Sequence, residues 1–268
     1  MAQENNIAII GTGNIGSSIA QGLVQSSQFS AENITLTRRR VDLLADFKEQ
    51  GFNITDDNTK AVTESNIIIL CVEPHQIDDI LQSINPLLET DKHLLISVAS
   101  GVDIESIKKH VDPRLAVVRA MPNTAIAIRQ SMTCLAASAG DEEALAAASQ
   151  IFETVGETLV IEEEQMTPAT ALCACGIAFF LRSIRAASQG GIETGIDSKT
   201  ALKMAAQTAK GAASLLLENK NHPEFEIDKV TTPMGCTIAG LNQMEHQGFS
   251  SAMIRGIAMS AEKAKDLH

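Results

Sequence analysis

A chain of 268 residues holds one large domain or two modest ones. Hydrophobic residues at 44% and charged residues at 20% suit a soluble globular protein, and a formal net charge of -12 argues against a nucleic-acid partner. No apolar run approaches the length needed to cross a membrane, and the opening MAQENN has neither a basic segment nor an apolar signal core, so a cytoplasmic protein with no membrane partner is expected.

The first predicted element is a strand, Ile7 to Ile10, whose four apolar residues suit a buried parallel strand. It runs into Gly11-Thr12-Gly13-Asn14-Ile15-Gly16 and then an amphipathic helix with Ile15, Ile19 and Leu23 on one face. A G-x-G-x-x-G set between strand and helix is the dinucleotide fingerprint. The first glycine permits the tight turn, the second lets backbone approach a pyrophosphate, and the third lets helix pack on strand. The helix N-terminus offers free N–H groups and positive dipole to the phosphates. The second strand, Asn33 to Thr37, ends at Arg38-Arg39-Arg40 rather than at an acidic residue. A carboxylate there would bind a ribose 2′-hydroxyl, whereas guanidinium groups pair with a 2′-phosphate. NADP is therefore the expected cofactor, NADPH preferred and NADH possible, through Arg38 and Arg39. The alternative is a solvated basic turn.

A helix with Leu43, Leu44 and Phe47 leads to a turn at Gly51, and Asn58 and Ala61 precede a third strand, Asn66 to Val72. That strand ends at Glu73-Pro74, because proline lacks a ladder donor and holds its predecessor extended. His75 to Leu81 is helical, His93 to Val98 is the fourth strand, followed by Ala99, and Leu115 to Ala120 is the fifth, followed by Met121-Pro122-Asn123-Thr124. This alternation predicts an α/β fold with a Rossmann-type doubly wound parallel sheet. The turns after Ile10, Thr37, Val72, Val98 and Ala120 are expected to line one cleft at the strands' carboxyl ends. Two more strands, Met132 to Ala136 and Glu157 to Glu162, flank a helix starting near Asp141.

After Glu164 the chain reads as all helical, so the expected domains are 1–164, which binds NAD(P), and 165–268. Thr167-Pro168 predicts a helix start and Gly190-Gly191 a stop. A second helix spans Ser198 to Asn219, with Leu202, Ala205, Ala209 and Leu216 expected inward. Pro223 opens a short third, and two more are split at Gly248, the last ending near Lys265. Helices apolar on most sides are hard to cover alone, which predicts a subunit interface. The conspicuous non-helical feature is Thr232-Pro233-Met234-Gly235-Cys236-Thr237. It puts backbone N–H groups and a hydroxyl at a helix N-terminus, a site suited to a carboxylate, though an ordinary N-cap by Thr237 fits the same residues. Five cysteines (Cys71, Cys134, Cys173, Cys175, Cys236) without a C-x-x-C pair and six histidines without ligand spacing predict no metal site and no disulfide framework. Cys71 and Cys134 read as core residues.

Together these residues resemble the pyrroline-5-carboxylate reductase family over nearly the whole chain. The likeness rests on the Ile7–Gly16 fingerprint, Asn58 with Ala61, Val72-Glu73-Pro74, Arg119-Ala120-Met121-Pro122-Asn123-Thr124 and, most specifically, TPMGCTIAGLNQMEHQGF from Thr232 to Phe249. The resemblance implies reduction of 1-pyrroline-5-carboxylate to proline, a proline-biosynthetic step, by an oxidoreductase using NAD(P)H. It implies a homodimer, or a larger assembly of dimers, built through the helical domain. Cofactor contacts would fall on Gly11, Thr12, Gly13, Asn14, Ile15, Gly16, Arg38, Asn58, Cys71, Val72, Glu73, Pro74 and Ala99. The small-molecule substrate would be held by Met121, Asn123, Gly235, Cys236 and Thr237, with Thr237 the catalytic candidate. The chain departs from the family pattern at Glu73 (usually lysine), Ala125 (usually proline), the Cys173-Ala174-Cys175-Gly176-Ile177-Ala178 stretch (usually S-G-S-G-P-A) and Met234 (usually glycine). An imine reductase with another substrate, a 3-hydroxyacid-dehydrogenase-like enzyme and a non-catalytic NADPH-binding regulator are the alternatives. The second needs a lysine four residues after a helix glycine, where this chain has Phe180 after Gly176.

Overall fold

The structure, a computed structural model, describes residues 6–265, so the expectation drawn from the opening MAQEN lies outside it. β1 (Ile7–Ile10) is wholly buried because helices cover both faces of the sheet. Its side chains alternate. Ile7 and Ile9 join Ile19 and Leu23 of α1 (Asn14–Gln25), while Ala8 and Ile10 join the core on the other face. β2 (Ile34–Thr37) follows, then a 3-10 turn at Val41–Leu44 and α2 (Ala45–Glu49). Leu44 and Phe47 face the core and Leu43 stays exposed. A short strand the sequence reading missed, β3 (Asn53–Thr55), pairs with β2 at the sheet edge. α3 (Asn58–Thr63) is capped by Asp57, whose carboxylate accepts from the Thr59 and Lys60 N–H groups.

β4 (Ile67–Leu70), α4 (Ile77–Ile84), β5 (Leu94–Ser97), α5 (Ile104–Lys108) and β6 (Ala116–Met121) complete the parallel part. The sheet order is β3-β2-β1-β4-β5-β6, then β7 (Ser131–Ala137) and β8 (Gly156–Val160). The order reverses direction between β1 and β4, which opens a crevice at their carboxyl ends. The direction of β7, which the sequence left open, is antiparallel to β6, pairing Val118 with Ala137 and Met121 with Cys134. Only residues 122–130 join the two strands, fewer than the dozen or so a parallel crossover needs. β8 returns parallel to β7 through α6 (Glu142–Glu153).

The helical run starts earlier than Thr167-Pro168. A 3-10 turn at Glu163–Gln165 carries a capping box between Glu162 and Gln165 and leads into α7 (Met166–Ala169). Pro168 then sits in the first turn, where its missing N–H costs nothing. Thr170–Cys175 winds as a π-helix before α8 (Gly176–Glu193). Gly190-Gly191 does not stop α8. The chain turns instead at Gly195, in the left-handed region at φ 99°. The stretch Glu163–Glu193 is long and apolar enough to cross a membrane by length and composition, contrary to the sequence expectation.

α9 (Ser198–Asn219), α10 (Pro223–Lys229), α11 (Cys236–His246) and α12 (Phe249–Lys265) follow. Internal contacts divide the chain into one unit that reaches Cys175 and takes in the chain from Ser260, and a second at Gly176–Met259. In the second, α8 and α9 pack together, with Ala201 buried opposite Gly191. Of the expected inward set on α9, Leu202 is 53% exposed, and Ala205, Ala209 and Leu216 are half-buried within the chain.

Candidate functional site

A cavity of about 870 Å³ opens at the carboxyl ends of β1, β2 and β4. Gly11, Thr12 and Gly13 line it from the first turn, Arg38, Arg39 and Arg40 from the second, and Cys71, Val72 and Glu73 from the third, with Asn58 alongside. Gly11 has φ 89°, and a side chain there would collide with Val72 and with the Cys71 carbonyl. Only glycine makes this turn. The Gly11 N–H donates to Thr37 Oγ1 at 3.2 Å and the Thr12 N–H to the Thr37 carbonyl at 2.8 Å, so the end of β2 braces the loop.

Several features suit a dinucleotide. A Cβ at Gly13 would meet nothing within 4 Å, so backbone is open to a ligand. Thr12 is 1% exposed and its Oγ1 has no partner among the described residues, a buried hydroxyl lacking the bond it needs. α1 has no acidic residue in its first turn and no side-chain cap, which leaves its N–H groups to an anion. Gly16 lies against Ile9 and Cys71, holding α1 close to the strands.

The three arginines differ. Arg38 donates through Nη1 to the Thr12 carbonyl at 3.1 Å. Arg40 is paired with Asp42 at 3.0 Å, which holds the Asp42 carboxyl below its usual value. Arg39 is exposed and makes no hydrogen bond or ion pair among the described residues. Glu73 stands 3.5 Å from His75 Nδ1, both well exposed. Burial pushes the Cys71 thiol far up, so it is a neutral wall residue. The wall also includes Thr37, Leu43, Asp56, Gln76, Asp79 and Ile80. Of these Thr37 was findable, as the last residue of a strand feeding the cleft; the others come from helices and turns whose facing the sequence does not give.

Not every candidate lines this cavity. Asn14, Ile15, Gly16, Pro74 and Ala99 lie outside its wall, and the turns after β5 and β6 do not reach it. Ala99 is 3% exposed, packed in the core. Met121 is buried with Cys134, Ala136 and Met166. Asn123 accepts from the Ala125 N–H through Oδ1 at 3.0 Å and donates through Nδ2 to the Cys173 carbonyl at 3.2 Å. Arg119 is also buried, donating to Glu163 Oε1 at 3.1 Å, and the same oxygen accepts from the Ile104 N–H at 2.8 Å. A buried cation needs such a partner, and Arg119 thereby fixes where the helical run begins.

In the second unit, Gly235 rather than Thr237 is the N-cap of α11, and no side chain caps that helix. A Cβ at Gly235 would collide with Thr232, whose carbonyl accepts from the Gly235 N–H at 2.9 Å. Cys236 and Thr237 occupy the first turn. Met234 is fully exposed at φ 58°, a left-handed conformation that suits glycine. Among the described residues no group of three His, Cys, Asp or Glu could hold a metal ion.

A family model described as pyrroline-5-carboxylate reductase dimerisation matches residues 163–267, and one described as NADP oxidoreductase, coenzyme F420-dependent, matches residues 6–101. The chain is 53% identical to pyrroline-5-carboxylate reductase 1 of Dictyostelium discoideum over 99% of its length, though it spans only 50% of that protein. With pyrroline-5-carboxylate reductase 2 of the same organism it shares 48% identity, covering 98% of this chain and 93% of the relative. A solved pyrroline carboxylate reductase of Plasmodium falciparum with NADP bound superposes with a TM-score of 0.88 over 99% of both chains, a likeness of fold at 23% identity.

Proposed function

The chain belongs to the pyrroline-5-carboxylate reductase family, a family of NAD(P)H-dependent oxidoreductases, and from that premise we propose that it reduces the C=N bond of 1-pyrroline-5-carboxylate to give L-proline, with NADPH the preferred donor and NADH accepted. The observation that carries this reading is the open glycine cradle at the mouth of the cavity, on a chain so like named reductases along its length. A bound reduced nicotinamide supplies hydride to the imine carbon. The backbone of Gly11 to Gly16 holds the pyrophosphate, and Arg38 and Arg39 face the 2′-phosphate. Asn58, Cys71, Val72, Glu73, Pro74 and Ala99 complete the cofactor contacts.

Residues 165–268 supply the substrate pocket and the subunit contacts, and residues 1–164 the cofactor half. The first turn of α11, at Gly235, Cys236 and Thr237, holds the substrate carboxylate, and Met121 and Asn123 are assigned to substrate binding as well. Thr237 orients the ring and handles the proton on its nitrogen. A protonated imine carbon is already electrophilic, so positioning accounts for most of the acceleration. The enzyme works in the cytoplasm as a homodimer or an assembly of dimers, without a membrane or nucleic-acid partner.

Steady-state kinetics with 1-pyrroline-5-carboxylate and with 1-pyrroline, which lacks the carboxylate, test this reading. The carboxylated imine is expected to win by tenfold or more in kcat/KM, and Thr237→Ala to lower kcat as well as raise KM. A better ketone or carboxylate-free imine substrate would leave only the cofactor half of the reading standing. NADPH binding without turnover of any of them would favour a regulator.

A further inference from the structure

Cys134 on β7 and Cys173 in the π-helix bring their sulfurs to 3.9 Å. Neither thiol is used by the proposed reaction. The geometry points to a peroxide-oxidisable dithiol at this place, with Cys173 the residue attacked and Cys134 the one that closes the disulfide.

The two cysteines have different surroundings. Cys134 is 2% exposed, enclosed with Met121, Ala136 and Met166, while Cys173 is half-buried at the edge of the same cluster. Either sulfur can donate across this contact; with the more deeply buried Cys134 donating, Cys173 is held below the ordinary thiol value, and the same pairing, with burial, holds Cys134 well above it. The more accessible sulfur is therefore the better thiolate, the arrangement that makes a cysteine oxidisable. A disulfide needs an S–S distance of about 2.05 Å, so the sulfurs must close by roughly 2 Å. A π-helix is a strained register that can tighten to α-helix, and such turns gather at functional sites. Cys175 makes no comparable contact among the described residues.

The chemistry balances with hydrogen peroxide as oxidant. The Cys173 thiolate attacks one peroxide oxygen; an S–O bond forms, the O–O bond breaks and hydroxide leaves. The Cys134 sulfur then attacks the sulfenic acid; the S–S bond forms, the S–O bond breaks, and the Cys134 proton departs with that oxygen as water. The sulfurs lose two electrons and peroxide gains them. Because Asn123 Nδ2 bonds the Cys173 carbonyl, the new bond would draw on the turn that carries Asn123.

Peptide mass mapping of the full chain after mild peroxide, with free thiols alkylated, tests this without reference to turnover. No Lys or Arg lies between Arg129 and Arg182, so a Glu-specific protease must separate the two cysteines. Wild type and Cys175→Ser are each expected to lose two alkylatable thiols and yield a dithiothreitol-sensitive cross-link between the peptides holding Cys134 and Cys173. Cys173→Ser and Cys134→Ser should lose that cross-link. A cross-link through Cys175, a Cys173 that stops at sulfenic or sulfinic acid in wild type, or oxygen added to Met121 or Met166 with both thiols intact would overturn it.

Discussion

Arg38 and Arg39 are adjacent in sequence and do different work. Arg38 already serves the loop by bonding the Thr12 carbonyl, whereas Arg39, at the cavity wall, has no partner among the described residues. Arg39→Ala is expected to weaken NADPH by about 1.5 kcal/mol, roughly tenfold in KM, and leave NADH unchanged. Arg38→Ala is expected to weaken both cofactors, because the loop loses a brace, and NADPH the more, because the 2′-phosphate also loses a partner. Equal NADPH/NADH ratios in wild type and Arg39→Ala would show that Arg39 is only a solvated turn residue. The triplet was plain in the sequence; its division of labour was not, because it depends on which guanidinium reaches a backbone carbonyl. Met234 is similar. The missing family glycine was visible, but only the structure gives φ 58° there. A non-glycine residue held so loses about 1 kcal/mol or more. Met234→Gly should therefore keep or raise the melting temperature, and Met234→Val, branched at Cβ, should lower it. A lower melting temperature for Met234→Gly, read by thermal denaturation, would refute the strain.

Elements with a strong period were legible, and their pairing direction and ends were less so. Ile7–Ile10 and Ile67–Leu70 read directly as buried strands because unbroken apolar runs rich in isoleucine fit a sheet covered on both faces. The reversed direction of β7 was obscured because apolar alternation carries no strand direction; the short 122–130 link was the available signal. β3 has too few residues to stand out, and it gains stability from pairing with β2. In the helical region glycine misled: Gly190-Gly191 reads as a stop, yet Gly191 lets α9 come close at Ala201, and that packing outweighs a propensity cost of about 1 kcal/mol per glycine. α9 is apolar on several sides, so its inward face could not be chosen from periodicity. Its exposed Leu202, Met204, Leu215 and Leu217 fall inside the residues matched by the dimerisation model. The double variant Leu202→Glu/Leu217→Glu is expected to shift the chain toward monomer in light scattering at micromolar concentration, because buried unpaired carboxylates are costly. An unchanged mass would place the subunit contact elsewhere.

The molecule combines a sheet with a crevice at the carboxyl ends of β1, β2 and β4 and a helical stretch, residues 163–267, that matches a dimerisation model. Its stability should carry a histidine signature. His93 is buried at 3% exposure, and its Nδ1 accepts from the Glu89 N–H at 2.8 Å, which requires the neutral ring. Burial, the largest cause, holds its pKa below 6.5. The unfolded chain thus takes up the proton first, so this contribution is present above about pH 6.5 and lost as pH falls toward the lower folded value. Carboxylates such as Asp112, held down to about 2 by Arg114, act in a separate window below 3.8. Melting temperatures at pH 8 and pH 5.5 should differ less in His93→Gln than in wild type; equal differences would remove His93 from the account. The central claim is hydride delivery to the C=N carbon of 1-pyrroline-5-carboxylate, and isotope transfer tests it most directly. NADPH deuterated on the transferable position of nicotinamide C4 is incubated with that substrate and the wild-type chain, and the product is read by mass spectrometry. The account predicts proline carrying one deuterium at C5, formed in step with NADPH consumed; NADPH oxidation without labelled proline, or no oxidation at all, would contradict it.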